Sequence, residues 1–240
     1  MQTKKFFQNN VSFTLIVINV VIFLFQSIIP RFNKTFGLLG SVIATEPWRL
    51  LTSVFMHVNF THLLFNMYAL LIFGNLIERK IGSKRFLIFY LIAGLVGSLA
   101  FAIYDPLQSA MGASGAIMGV LGLVILLLPK LRVLFFFVIP MSMRTAGIIF
   151  VLIDIVGFAV GGTNIGHVAH FAGLASGLGF GFYLLSKKKS FTLKFTANSS
   201  TGNSSVHIHK PKSNHVSSSY EKTIELTKDD LDSYYKYGKL

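Results

Sequence analysis

Residues 11–29 read VSFTLIVINVVIFLFQSII, a run of nineteen positions without a charged side chain. Wound as a helix rising 1.5 Å per residue, it approaches the length of about 20 apolar residues that a bilayer's hydrocarbon core requires. The rest of the chain is of the same character. Of its 240 residues 52% are hydrophobic and 13% charged, with a mean hydropathy of +0.63, whereas a soluble domain carries about 25% charged residues. The opening MQTKK is a basic flank, but the run behind it is too long for the apolar segment of a cleaved signal. It exits through SIIPRFNKTFG, which offers no small-residue cleavage site. A retained first span is expected.

Six spans are expected along the chain, at roughly 11–29, 62–78, 86–104, 113–128, 145–160 and 167–185. The stretch 134–143, LFFFVIPMSM, is apolar but interrupted by Pro140, and reads as a re-entrant or interfacial passage into the fifth span. Loop charges set the orientation. Lys4 and Lys5, then Arg79, Lys80, Lys84 and Arg85, then Lys130, Arg132 and Arg144, then Lys187, Lys188 and Lys189 fall on alternate sides from the charge-poor loops 105–112 and 161–166. Positive residues mark the cytoplasmic side. The expected fold is therefore an all-α membrane protein, a six-transmembrane helix bundle with both the N- and C-termini cytoplasmic.

Residues 1–186 form the expected membrane domain, and 187–240 a polar, basic, cytoplasmic C-terminal tail. Its stretch TANSSTGNSSVHIHKPKSNHVSSS cannot bury an apolar face and is expected to be disordered, with a short helix possible over EKTIELTKDDLDSYYKY. The net charge of +13, in so apolar a chain, points to an anionic membrane surface rather than to nucleic acid. Cysteine is absent, which excludes disulfides and thiolate metal sites.

Polar groups in an apolar span are costly and ask for a reason. Those in question are His57, His62, Asn66, Ser114, Asp154, His167 and His170. In the expected topology the second, fourth and sixth spans all run inward. His62 and Asn66, Ser114, and His170 then lie within about two turns of the same outer surface. Ser114 sits in GASGAIMG, at a helix start whose free N–H groups can hold an oxyanion; taken alone, Gly115, Gly119 and Gly122 also read as a helix-packing face. His170 sits in AHFAGLASGLGFG, where Gly173, Gly177 and Gly181 make a second such face. Docked on the fourth span, this face would bring the imidazole within reach of a serine hydroxyl; a buried, hydrogen-bonded histidine is the plainer reading. His62 and Asn66 are one helical turn apart and can both donate to a developing negative charge. His167, nearer the loop, is the competing base. A metal site among His57, His62, His167 and His170 is disfavoured, since no pair has a spacing of four and no acid accompanies them. No metal and no cofactor is expected.

These stretches resemble the rhomboid family of intramembrane serine proteases. WRLLTSVFMHVNFTHLLFN (48–66) resembles its first loop and second-span entry, GASG its nucleophile motif and AHFAGLASG its histidine motif, in the same order over roughly residues 11–186. The resemblance implies cleavage of single-span membrane proteins in the bilayer by a Ser–His dyad with no acidic third member. Ser114 would be the nucleophile and His170 the general base. His62, Asn66 and the Ser114 amide would form the oxyanion hole, with Trp48, Arg49 and His57 structural and Gly173 allowing close packing beside the dyad. Met118 departs from the aromatic residue that many members carry one turn after the nucleophile. Asp154 reads as structural rather than as a triad acid. A catalytically inactive rhomboid-like binding protein is the alternative, and a transporter a more distant one. The expected location is a cell membrane, as a multi-pass protein.

Overall fold

The computed structural model describes residues 10–135, 139–160 and 166–190. The tail from 191 onward and residues 161–165 of the last glycine-rich loop, readings of which are given above, lie outside the described residues. Six apolar helices carry the fold: α1 (Val11–Ile28), α2 (Phe60–Ile81), α3 (Ser83–Tyr104), α4 (Ser114–Leu127), α5 (Met143–Val160) and α6 (His167–Ser190). Five are long and apolar enough to cross a membrane. The exception is α4, whose 14 residues reach only about 21 Å at 1.5 Å per residue.

The short α4 is the centre of the bundle. Its residues Ala116, Val120, Leu123 and Val124 are at most 1% exposed and pack with Phe86, Phe89, Tyr90 and Ala93 of α3. By contrast α1 and α5 turn apolar side chains outward, among them Val17, Val21 and Leu24, and Ile148, Leu152 and Val156. In water such faces would be unfavourable; in a bilayer they are the surface that contacts lipid.

Small ladders accompany the helices, a departure from the purely α expectation. β1 (Leu38–Leu39) pairs antiparallel with β2 (Ser109–Ala110), tying the first loop to the segment that leads into α4. The stretch around Pro140, expected as a re-entrant or interfacial passage, supplies β4 (Ile139–Ser142), antiparallel to β3 (Arg132–Phe135). Pro140 has no N–H to give a ladder, so it suits an edge such as this.

Two side chains clamp the frame. Arg49 donates from Nη1 to the Gly37 carbonyl at 2.7 Å and pairs with Glu46, while the Trp48 indole donates to the Thr35 carbonyl at 3.3 Å. On α2, Glu78 is 6% exposed and accepts from the Val11 and Ser12 amides at 2.8 Å each, the Ser12 hydroxyl at 2.7 Å and the Ser83 hydroxyl at 2.6 Å. It thus satisfies N–H groups that the first turn of α1 leaves open and favours that positive helix end. Sequence reasoning passed over Glu78.

The two glycine faces meet. A Cβ built on Gly173 of α6 would overlap the Gly115 carbonyl of α4, and one on Gly177 would overlap the Gly119 carbonyl. Gly179, on another side of α6, has open space. Overpacking of this kind costs about 1–3 kcal/mol. Gly177→Ala is therefore expected to lower the thermal unfolding midpoint in detergent by several degrees, and Gly179→Ala to leave it at or above the wild-type value. Equal midpoints for the two variants would show that the helices do not meet along this seam.

Candidate active site

The seam between α4 and α6 fixes where two polar side chains meet. Ser114 is the first residue of α4, preceded by Gly112 with φ +150°, and His170 lies one turn into α6. Ser114 Oγ and His170 Nε2 are 2.8 Å apart. Since α4 begins at Ser114, its first N–H groups have no acceptor within the helix. They stand beside a cavity of about 800 Å³ whose walls include His62, Asn66, Ser114 and His170.

Gly112 lets α2 approach this point. A Cβ there would lie 2.7 Å from His62 Cε1 and 3.5 Å from Ser114 Oγ, so the imidazole of His62 occupies the place of the missing side chain. Asn66, one turn along α2, is 6% exposed, and its Nδ2 has no hydrogen-bond partner among the described residues. A buried, unmatched donor beside a cavity is costly unless a ligand completes it.

The loop before α2 is held just as firmly. Gln26 of α1 accepts from the His57 amide at 3.0 Å and donates to the His57 carbonyl at 3.1 Å, and the Gly112 amide donates to the Ser53 carbonyl at 3.0 Å. The His57 ring is 1% exposed and lies edge-on to His62, with centroids 5.2 Å apart.

Asp154, read from the sequence as structural, reaches the site. Its Oδ1 is 3.0 Å from His170 Nδ1 and 2.5 Å from His167 Nδ1. Gly157, three residues on, explains how α5 comes so close: a Cβ there would lie 2.7 Å from the His167 ring. This also corrects the view that no acid accompanies the histidines, since ligand-type atoms of Asp154, His167 and His170 all lie within 4.8 Å of one another. Asp154 meets each histidine through a hydrogen bond. His167, the competing base, turns Nδ1 to Asp154, whereas Nε2 of His170 faces Ser114. Met118 packs with the helical core, and the ring lying against His170 is that of His167, with centroids 6.1 Å apart.

A family model of the rhomboid domain matches residues 44–187, a span that includes Trp48, Arg49, the glycine seam, and His62, Asn66, Ser114 and His170 of the cavity wall. The chain belongs to the rhomboid family. It is a multi-pass membrane protein of that family. It is 42% identical over 141 residues to rhomboid protease GluP of Bacillus subtilis, covering 58% of this chain and 26% of that protein. To the putative rhomboid protease YdcA of the same organism it is 34% identical, over 60% of this chain and 70% of YdcA. To the mitochondrial RHOMBOID-like protein 6 of Arabidopsis thaliana it is 33% identical, over 67% and 51%. This rhomboid chain thus spans about a quarter of the length of the first of these relatives and about half of the third.

Burial, and after it the neighbouring His62, lowers the pKa of His57 from the ordinary 6.5 to about 3. The unfolded chain takes up this proton below about pH 6.5, whereas the folded protein refuses it until about pH 3. Stability is therefore lost as pH falls through that window, at about 1.4 kcal/mol per pH unit for one proton, and is unaffected by His57 above it. The midpoint of thermal unfolding in detergent should fall more steeply from pH 6.5 to pH 4 in the wild type than in His57→Gln. Parallel curves would show that His57 titrates normally.

Proposed function

We propose that this protein is an intramembrane serine endopeptidase that cleaves single-span membrane proteins near the outer face of a cell membrane, with Ser114 as nucleophile and His170 as general base. The observation that carries the reading is the 2.8 Å contact between Ser114 Oγ and His170 Nε2, made by residues from separate helices beside a cavity. Serine is a weak nucleophile unless an adjacent base takes its proton, and this pair meets that requirement.

In the proposed reaction, His170 Nε2 takes the hydroxyl proton as Ser114 Oγ bonds to the scissile carbonyl carbon. The carbonyl electron pair moves to oxygen, where the Ser114 amide, His62 and Asn66 donate hydrogen bonds. The unmatched Asn66 Nδ2 supports that role, because such donors act when already fixed in place. The tetrahedral intermediate then collapses, the C–N bond breaks, and His170 gives its proton to the departing amine. Water, deprotonated by the same imidazole, releases the acyl group from Ser114. The site lies where α4 begins, beside irregular backbone that lines a cavity, a setting in which such backbone is tolerated at membrane depth. In the proposed orientation both termini are cytoplasmic, and the polar tail from 187 takes no part in the chemistry.

The test is cleavage of a single-span substrate by purified protein in detergent. Ser114→Ala is expected to abolish product, and His170→Ala to reduce it far more than His167→Ala. Asn66→Ala is expected to lower the rate by up to roughly 10²–10³-fold, the cost of one oxyanion donor. Wild-type rates from folded Ser114→Ala protein would refute the mechanism. No cleavage by folded wild-type protein, with binding retained, would favour an inactive, substrate-binding relative.

A further inference from the structure

Two acids are buried among the described spans, and their surroundings differ. Glu78 is met by four donors, two backbone amides and two hydroxyls, as a carboxylate fastening helices should be. Asp154, 7% exposed, bonds only to two imidazoles, and its second oxygen has no partner among the described residues. Burying a carboxylate with so few donors is expensive. Its place makes sense through what it touches.

We propose that Asp154 is a positioning residue for His170, the third member of a Ser114–His170–Asp154 relay. An ionised carboxylate can only accept hydrogen bonds. Both Nδ1 atoms that face Oδ1 must then carry protons. With Nδ1 of His170 protonated, its Nε2 in the neutral ring holds a lone pair, which points at the Ser114 hydroxyl 2.8 Å away. When His170 accepts the serine proton it becomes a cation, and the Asp154 carboxylate lies 3.0 Å from it. The same oxygen holds His167, whose ring stands edge-on to His170 at 82°, so His167 seats the carboxylate and limits rotation of the base. Gly157 gives α5 the close approach that this requires. With Met118 packed into the core, Asp154 and His167 supply the orientation of the imidazole.

This inference rests on the protease reading, and the experiment separates the two. Full-length protein in detergent, with a fluorogenic single-span substrate, gives kcat and KM for wild type, Asp154→Asn, Asp154→Glu and Ser114→Ala, with thermal unfolding recorded for each. Asparagine can donate to Nδ1 and so favours the tautomer protonated at Nε2. Asp154→Asn is expected to lower kcat by at least roughly 10²-fold, as loss of a triad carboxylate does elsewhere, with KM within a fewfold of wild type. Asp154→Glu is expected to recover part of kcat. If folded Asp154→Asn keeps kcat within threefold, or changes KM instead, while Ser114→Ala is inactive, the positioning role is overturned and the protease reading stands. Activity in Ser114→Ala overturns the protease reading itself. Should Asp154→Asn fail to fold, ¹⁵N spectra of histidine-labelled wild type, with His170 assigned by difference from His170→Gln, decide the matter. Nδ1 protonation of neutral His170 supports the proposal, and Nε2 protonation overturns it.

Discussion

The contact between Gly173 and the Gly115 carbonyl, repeated one turn on between Gly177 and Gly119, sets the distance between α4 and α6, and the rest of the site depends on that distance. In lipid the hydrophobic effect gives helices little reason to associate, so close backbone packing is the main source of attraction. Here that packing has a chemical consequence. A methyl group on either glycine of α6 would push the helices apart, and the Ser114–His170 contact, one turn from Gly173, would open with them.

Around this seam the protein manages polar groups that the bilayer penalises. At one end of α1, the Glu78 carboxylate closes the open amides of Val11 and Ser12, so a costly charge is matched by four donors. At the other end of the bundle the accounting is left incomplete. Asn66 Nδ2 and one Asp154 oxygen are buried without partners among the described residues, both within the shell around Ser114 and His170. The Asn66 donor is what a site awaiting a reacting carbonyl would hold, since its missing acceptor comes with the substrate.

Much of this was legible in the sequence because it is written in spacing. The faces at 115, 119 and 122 and at 173, 177 and 181 repeat at helical intervals, and the charge-free run at 11–29 announces a span. His62 and Asn66 fall one turn apart. Asp154 was read as structural because its partners lie thirteen and sixteen positions away, across a loop, where no periodicity links them. A further signal lay in Gly157, three residues on, which left room for a neighbour. Glu78 was lost among the basic residues of its loop, since its donors come from Val11 and Ser12, more than sixty positions back. The paired strands β1 and β2, at two residues each, are too short to carry an alternating pattern.

The central claim is that packing of α4 against α6 creates one activated serine. It is tested most directly by treating the full-length protein with a fluorophosphonate and mapping the adduct by peptide mass spectrometry. The account predicts a single modified serine, Ser114, and loss of the adduct in His170→Ala protein that remains folded, because the reagent reports a hydroxyl with a neighbouring base. An adduct at another serine, or undiminished labelling of Ser114 without His170, would contradict it.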